Sequence, residues 1–268
     1  MRDKRNEPLR LEGKSIVLEE IAPKYFGSII KWRNDPQLNH FLNQPEKLTL
    51  EKEQKWYELC YLVDDTQGYM VAVDKMTGEP FATQGWTDMD RENRRCIAGR
   101  LLLGDDKYKN SSQFAETFFL LGDYLYQYVD IMYAHIGIEN GKSIHVSEMM
   151  GYHLNKGEIQ YPSECFVQGN KSRPQNEYIR TQEDYERAKK FLAKGMELLD
   201  VVNEIREDKG EKRISELAPD MQLRKDLAFD SLDLAVMTAK IEEKYGVDVF
   251  EDGIVNTLDD VMKKLEKK

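Results

Sequence analysis

Near residue 196 the hydrophobic pattern of this chain changes character, and the change dictates two architectures in series. Before that point short runs of strand character alternate with helical stretches. After it, every apolar series has helical spacing. A chain of 268 residues has room for one medium domain and one small one. The charge divides at the same place. Residues 1–195 hold 27 basic and 30 acidic side chains, whereas residues 196–268 hold 12 and 19. Without the lysine-rich end from Lys263 onward the second stretch comes to 8 against 18, so the net charge of −10 belongs mainly to it. The expected domains are residues 1–195 and residues 196–268.

An acidic balance argues against a nucleic-acid partner, which calls for a basic stripe facing the phosphates. Cys60, Cys96 and Cys165 stand far apart and form no Cys-x-x-Cys pair, so neither a disulfide scaffold nor a structural zinc site is expected. The first residues carry charge with no apolar stretch behind them, unlike a secretion signal. The most apolar run, residues 118–138, contains Asp123 and Asp130, which a bilayer span would not bury cheaply. A soluble, cytoplasmic chain with no membrane span and no metal centre is the expectation.

The first stretch reads as β-αα-βββ-α-β-α-ββ. Strand patterns fall at residues 16–18, 69–73, 81–87, 96–103, 132–138, 163–168 and 177–180. Pro23 opens a helix that the Asn34-Asp35-Pro36 sequence stops. Thr49, with Glu51 and Glu53 in its first turn, starts another helix carrying Trp56, Leu59 and Leu62. Phe114, Phe118, Leu121, Leu125 and Tyr128 mark a long helix, and residues 143–150 a short one closed by Gly151. Thr181 and Asp184 form a capping-box pattern. In the second stretch helices are expected around residues 198–205, 231–244 and 258–265, four short helices at most.

The densest chemical signal is Asp226-Leu-Ala-Phe-Asp-Ser-Leu-Asp233, followed by Ile241-Glu-Glu-Lys-Tyr-Gly-Val247. This segment resembles the acyl and peptidyl carrier proteins over roughly residues 196–265. The resemblance implies a four-helix acyl-carrier bundle with 4′-phosphopantetheine attached covalently to Ser231, and a phosphopantetheinyl transferase and an acyl-loading enzyme as partners. A serine at a helix N-terminus suits a phosphodiester, because the helix dipole is positive there. Taken locally, Ser231 also reads as an ordinary N-cap serine. Asp230, Asp233, Glu242 and Glu243 make up an acidic face for basic partners. Ala228-Phe229 stands where carriers commonly have glycine followed by alanine or phenylalanine, and Val236 where an acidic residue is common.

In the first stretch, Trp32-Arg-Asn-Asp-Pro36, Gln54-Lys-Trp56, Asn140-Gly-Lys-Ser143 and Met150-Gly-Tyr152 accompany the element order above. Together they resemble the GCN5-related N-acetyltransferases over residues 9–181, and within them the aminosugar-nucleotide N-acetyltransferases. The implied fold is an α/β mixed sheet flanked by helices. The implied reaction passes an acyl group from a pantetheine thioester directly to an amine. It needs a base for the amine, a donor for the oxyanion and an acid for the thiolate. Many members place a tyrosine acid where this chain has Ser147, and Ser143 is the expected substitute. Asn140 is expected to bind the pantetheine arm, and Arg33 and Asn34 the acceptor. Asp88, His135 and His153 are the candidate bases. His40 reads as a surface residue, His135 equally as a hydrogen-bonded strand histidine, Cys165 as an inert buried thiol, and Asn140 equally as a helix cap.

Relatives hold the CoA pyrophosphate with a glycine-rich loop, whereas this chain has Lys107-Tyr-Lys-Asn-Ser-Ser112. Lys107, Lys109, Asn110 and Ser112 are therefore the expected donor-binding residues, or else the donor is a carrier-bound arm that has no pyrophosphate. Three readings follow. The first domain acylates an amine, such as an aminosugar nucleotide, from acyl-CoA or an acyl-carrier thioester. It loads its own carrier from CoA. Or it only docks the carrier. Delivery within one chain and delivery across a homodimer both stand.

Overall fold

The computed structural model describes residues 7–42, 44, 46–109, 111–161, 166–168, 171–214, 217, 221–251, 253 and 255–266. They divide into two units, Met1–Arg187 and Ala188–Lys268.

The first unit is built on central strands, Gly68–Asp74 and Pro80–Asp90, that are buried along most of their length and so need cover on both faces. The elements run β1 (Arg10–Glu12), β2 (Ile16–Glu20), α1 (Phe26–Asn34), α2 (Leu50–Trp56, continued by a π-helical turn at Tyr57–Tyr61), β3 (Gly68–Asp74), β4 (Pro80–Asp90) and β5 (Arg95–Leu103). Then come α3 (Ser112–Leu125), β6 (Ile131–Gly137), α4 (Gly141–Met149), β7 (His153–Leu154), β8 (Phe166–Gln168), β9 (Lys171–Arg173), β10 (Gln175–Thr181) and α5 (Gln182–Asp208). Eight strands form one sheet in the order β1-β2-β3-β4-β5-β6-β10-β7, and β8 pairs with β9 separately. On one face Ile21, Phe26, Ile29 and Tyr61 pack on Tyr69 and Val71. On the other, α3 is tied to the sheet where Gln84 Nε2 donates to the Thr117 carbonyl, and Trp86 packs on Tyr124.

Every pairing in the large sheet is antiparallel except β5 with β6. That parallel pairing covers only Arg95↔Ile131, Cys96↔Met132 and Ile97↔Tyr133. Beyond Ile97 and Tyr133 the strands part. The β6-facing edge of residues 98–103 and the β5-facing edge of residues 134–137 are left bordering a wedge.

β1, β7 and β9 were not expected from the sequence; two or three residues are too few for period-2 alternation to register. Part of the expected strand at 163–168, Cys165 included, lies outside the described residues. The largest difference is α5. The sequence suggests two helices with a junction near Gly195, but one helix of 27 residues runs through it. A single glycine costs a helix only about 1 kcal/mol, and its neighbours Ala193, Lys194, Met196 and Glu197 are good helix formers. Thr181 and Asp184 cap its start reciprocally, with Asp184 N donating to Thr181 Oγ1 at 3.2 Å and Thr181 N to Asp184 Oδ2 at 3.1 Å.

In the second unit the end of α5 supplies Leu198, Val201, Val202 and Ile205 to a core completed by α6 (Ser231–Tyr245) and α7 (Leu258–Glu266). Leu223, Leu227 and Phe229 enter this core from the segment before α6. Gly246, at φ +63°, ends α6 in the left-handed conformation that glycine adopts freely. Three helices are present among the described residues of this unit. No helix among the described residues is long and apolar enough to cross a membrane.

Candidate functional site

The wedge between β5 and β6 interrupts the backbone hydrogen-bond pattern of the large sheet. An extended arm with amide groups could lie in it as an added strand, since unpaired N–H and C=O groups on a strand edge bind a chain of matching spacing. Gly104 sets what stands at its mouth. A Cβ there would come within 2.1 Å of the Trp32 ring, so Trp32 lies directly on the backbone after β5. Arg33 and Asn34, the next two residues of α1, are thereby held at the end of β5.

Asn34 is engaged in shaping the loop that follows. Its Nδ2 donates to the Leu48 carbonyl at 2.8 Å, and its Oδ1 accepts from Leu48 N at 2.8 Å and from Gln44 Nε2 at 3.2 Å. Arg33 Nε donates to Gln44 Oε1 at 2.9 Å. The loop crosses to β6, where a Cβ on Gly137 would lie 4.0 Å from Phe41 and from Asn140. His40 is exposed and packs edge-on against Phe41.

At the other lip, Asn140 caps α4, its Oδ1 accepting from Ser143 N at 3.2 Å. Ser143 is half-buried in the first turn of α4. Asp88 is exposed in a bulge near the β4–β5 hairpin, at φ +53°, close to the end where β5 and β6 are still paired. His135 lies on β6 beyond the parting point, its Nε2 3.1 Å from Glu177 Oε2 on β10. Burial pushes the Glu177 carboxyl up, but bonds from Gln160 N, His135, Asn155 Nδ2 and Tyr161 N outweigh it and hold the group below the usual range. His153 is exposed, 3.8 Å from Asp184.

The expected donor loop forms a short 3-10 turn, Asp106–Tyr108, leading into α3. Tyr108 anchors it, stacking on Phe81 at 4.0 Å and donating to Asp74 Oδ2 at 2.9 Å. Ser111 caps α3 by accepting from Phe114 N at 3.1 Å. Lys107, Lys109 and Ser112 are exposed around that helix start, Lys107 3.4 Å from Asp105. Asn110 lies outside the described residues.

Sequence reasoning missed two residues on the α1–α2 face. Among the described residues, Glu53 Oε1 and Arg100 Nε are the buried side-chain oxygen and nitrogen atoms left without a hydrogen-bond partner. Glu53 is only 3% exposed, although its place in a helix's first turn reads as a solvated acid favourable to the dipole. Burial pushes its carboxyl up, against the pull of Arg33 and then Arg100. Arg100 sits at φ +57° in a β-bulge of β5, with its guanidinium 4.9 Å from the Tyr69 ring and 5.4 Å from Trp56. A non-glycine residue in that region marks the bulge as strained. Neither burial nor bulge has a local sequence signature.

In the second unit the N-cap of α6 is Asp230. Its Oδ1 accepts from Leu232 N at 2.7 Å and Asp233 N at 3.0 Å, and Asp233 Oδ2 accepts from Asp230 N at 2.8 Å. Ser231 is therefore the first helical residue and not the cap, which corrects the local N-cap reading. Its hydroxyl is exposed, with Arg224 NH2 3.4 Å away. Leu232 beside it is 72% exposed. Asp233 also departs from expectation. It is buried and bonded to Lys209 Nζ at 2.8 Å, so it braces the helix start and does not contribute to an acidic face. Although burial acts the other way, that lysine and the Asp230 amide hold its carboxyl below the usual range.

Residues 200–261 match the family model described as Phosphopantetheine attachment site. No curated protein matches the chain. Among solved structures, a GCN5-related N-acetyltransferase from Brucella melitensis is 17% identical, with a TM-score of 0.59, covering 70% of this chain and 86% of its own. FdhC, a nucleotide-linked sugar GNAT in its apo form, is 15% identical, with a TM-score of 0.54 and coverage of 70% and 98%. Spermidine N-acetyltransferase from Vibrio cholerae, in complex with CoA and spermine, is 14% identical, with a TM-score of 0.53 and coverage of 65% and 99%. The chain thus has, in its first unit, the fold of the GCN5-related N-acetyltransferases, followed by a segment that matches the phosphopantetheine-attachment model.

Proposed function

We propose that the chain is an N-acyltransferase that moves an acyl group from a phosphopantetheine thioester, carried on Ser231 or on CoA, to the primary amine of an aminosugar or sugar nucleotide. The observation that carries this reading is the parting of β5 and β6 after three residue pairs in a chain that also presents an exposed serine at the start of α6. Pantetheine is a linear arm with two amides. It fits a slot whose edges are unpaired strand backbone, and the arm on Ser231 would bring its thioester without a pyrophosphate to hold.

In this reading the acceptor enters beneath the loop that follows Arg33. His135 takes the amine proton, since the carboxylate of Glu177 fixes its Nε2–H tautomer and leaves Nδ1 as the lone-pair atom. The neutral amine attacks the thioester carbonyl. The tetrahedral intermediate collapses to the amide as its C–S bond breaks, and Ser143 at the start of α4 gives its proton to the departing thiolate while taking the second proton from the nitrogen. Asn140 orients the arm through the Nδ2 that its capping bond leaves over. Asp88 fits the base less well, because it lies outside the wedge on an exposed bulge. Lys107, Lys109, Ser112 and the α3 N-terminus would serve the diphosphate when CoA is the donor. That cluster is also what favours the loading direction, CoA to Ser231, as the second reading.

The test is amine acylation by the pantetheine-modified protein and by Ser231→Ala, each supplied with acyl-CoA. Carrier-fed transfer predicts that Ser231→Ala loses most of the rate. Equal rates would leave the carrier without a part in amine acylation.

A further inference from the structure

Buried polar atoms in folded proteins nearly always have partners, so an exception needs a reason. Among the described residues, the first unit's other buried carboxylates have partners. Glu20 accepts from Tyr61 at 2.6 Å and from Leu9 N at 2.7 Å. Asp74 accepts from Tyr108 at 2.9 Å and from Met76 N at 2.7 Å. Glu177 accepts from four groups. Glu53 stands apart, and the other orphaned atom among the described residues, Arg100 Nε, belongs to a residue whose charge it feels. One orphan is an acceptor and the other a donor. Both act on Tyr69, with Glu53 on α2 and Arg100 on the strand that borders the wedge. Thr83 holds the bulge in place by donating to the Arg100 carbonyl at 2.8 Å.

We propose that Glu53 and Arg100 are the recognition pair for the acceptor. Glu53 Oε1 accepts a hydrogen bond from the acceptor's amine, and Arg100 Nε donates to an oxygen on the neighbouring carbon. The ligand class this selects is a vicinal amino alcohol, the pattern of a 2-amino sugar. A diamine offers no oxygen to Arg100, and a simple sugar offers no ammonium to Glu53. A single buried N–H meets one oxygen, which suits a hydroxyl better than a polyphosphate. The proposal rests on the acyltransferase reading for the side from which the acceptor enters, but the binding it describes needs no acyl donor.

The experiment is calorimetric binding of glucosamine, glucose and cyclohexylamine to the full chain without donor, for the wild type, Glu53→Gln and Arg100→Lys. Fold is followed by tryptophan fluorescence, which reports the first unit alone because Trp32, Trp56 and Trp86 all lie there. The wild type should bind glucosamine more tightly than either control. Glu53→Gln should bind it about tenfold more weakly or worse, the loss of one charge-assisted bond. Arg100→Lys should bring glucosamine down to the level of cyclohexylamine. Glu53→Gln should also raise the unfolding midpoint, because it removes a buried charge that the folded chain leaves unpaired. A lowered midpoint would make Glu53 a structural residue and overturn the proposal. So would undiminished binding by Glu53→Gln, or no glucosamine binding by the wild type. Glucosamine binding that depends on Glu53, with no amine acylated from any donor, would overturn the acyltransferase reading and leave the recognition pair standing.

Discussion

Asp230 caps the helix that Ser231 begins, so the serine hydroxyl is left outside the cap. In many helices a serine beside an aspartate would compete for that role. Here Asp230 and Asp233 close the capping box between them, and the guanidinium of Arg224 lies 3.4 Å from the Ser231 hydroxyl.

Stability and modification should therefore separate cleanly. Ser231→Ala should change the stability of the second unit by less than about 0.5 kcal/mol, while abolishing attachment of phosphopantetheine. Asp230→Ala should cost about 1 kcal/mol with the hydroxyl still present. Amide hydrogen exchange along α6 reads the first quantity and intact mass the second.

Ala228 occupies the position where carriers commonly have glycine, and it is held at φ +53°. Lys209 Nζ donates to its carbonyl at 2.8 Å and to Asp233 at 2.8 Å, fixing the approach to Ser231. Ala228→Gly should stabilise the second unit by about 1 kcal/mol by relieving the left-handed conformation. Lys209→Met should quicken exchange at the start of α6 and slow phosphopantetheine transfer. Denaturant titrations followed by exchange test both variants.

Gly104 is where Trp32 of α1 lies directly on the backbone after β5. Gly104→Ala would push a methyl group into the Trp32 ring. It should destabilise the first unit by about 1–3 kcal/mol and raise KM for the amine more than it lowers kcat. Tryptophan fluorescence and steady-state kinetics measure the two effects.

Glu177 gives a pH signature. Its folded carboxyl is held below the ordinary value, so its stabilising effect is present above the unfolded pKa and lost as pH falls through the folded one. Glu177→Gln should cost about 2 kcal/mol at neutral pH, and the gap to wild type should narrow below about pH 4. Glu53 runs the other way. Its folded carboxyl is raised, so the cost of ionising it appears as pH rises from the unfolded value through the folded one. His135→Gln keeps a hydrogen bond to Glu177 but cannot take a proton, and kcat should fall about 100-fold.

Much of this molecule could be read before it was seen, and for physical reasons. The long strands announce themselves by β-branched and aromatic runs, and the second unit by helical spacing around Asp230-Ser231-Leu232. What stayed hidden depends on contacts between distant residues. Glu53 reads as a first-turn acid until the packing of α1 and α2 on the sheet buries it. The parting of β5 from β6 leaves no trace in either strand's own pattern. Asn34, chosen as an acceptor ligand, is engaged by Leu48, fourteen residues on. Asp233, chosen as surface charge, is turned inward by Lys209, the residue just after α5.

The most direct test of the account is a chase. The full chain is modified with phosphopantetheine, loaded with an acyl group, freed of CoA and mixed with glucosamine, and its intact mass is followed. The account predicts that the acyl mass leaves the protein only when the amine is present, with N-acylglucosamine formed in equal amount, and that His135→Gln retains it. An acyl group that stays on Ser231 in the presence of the amine would contradict transfer from the carrier.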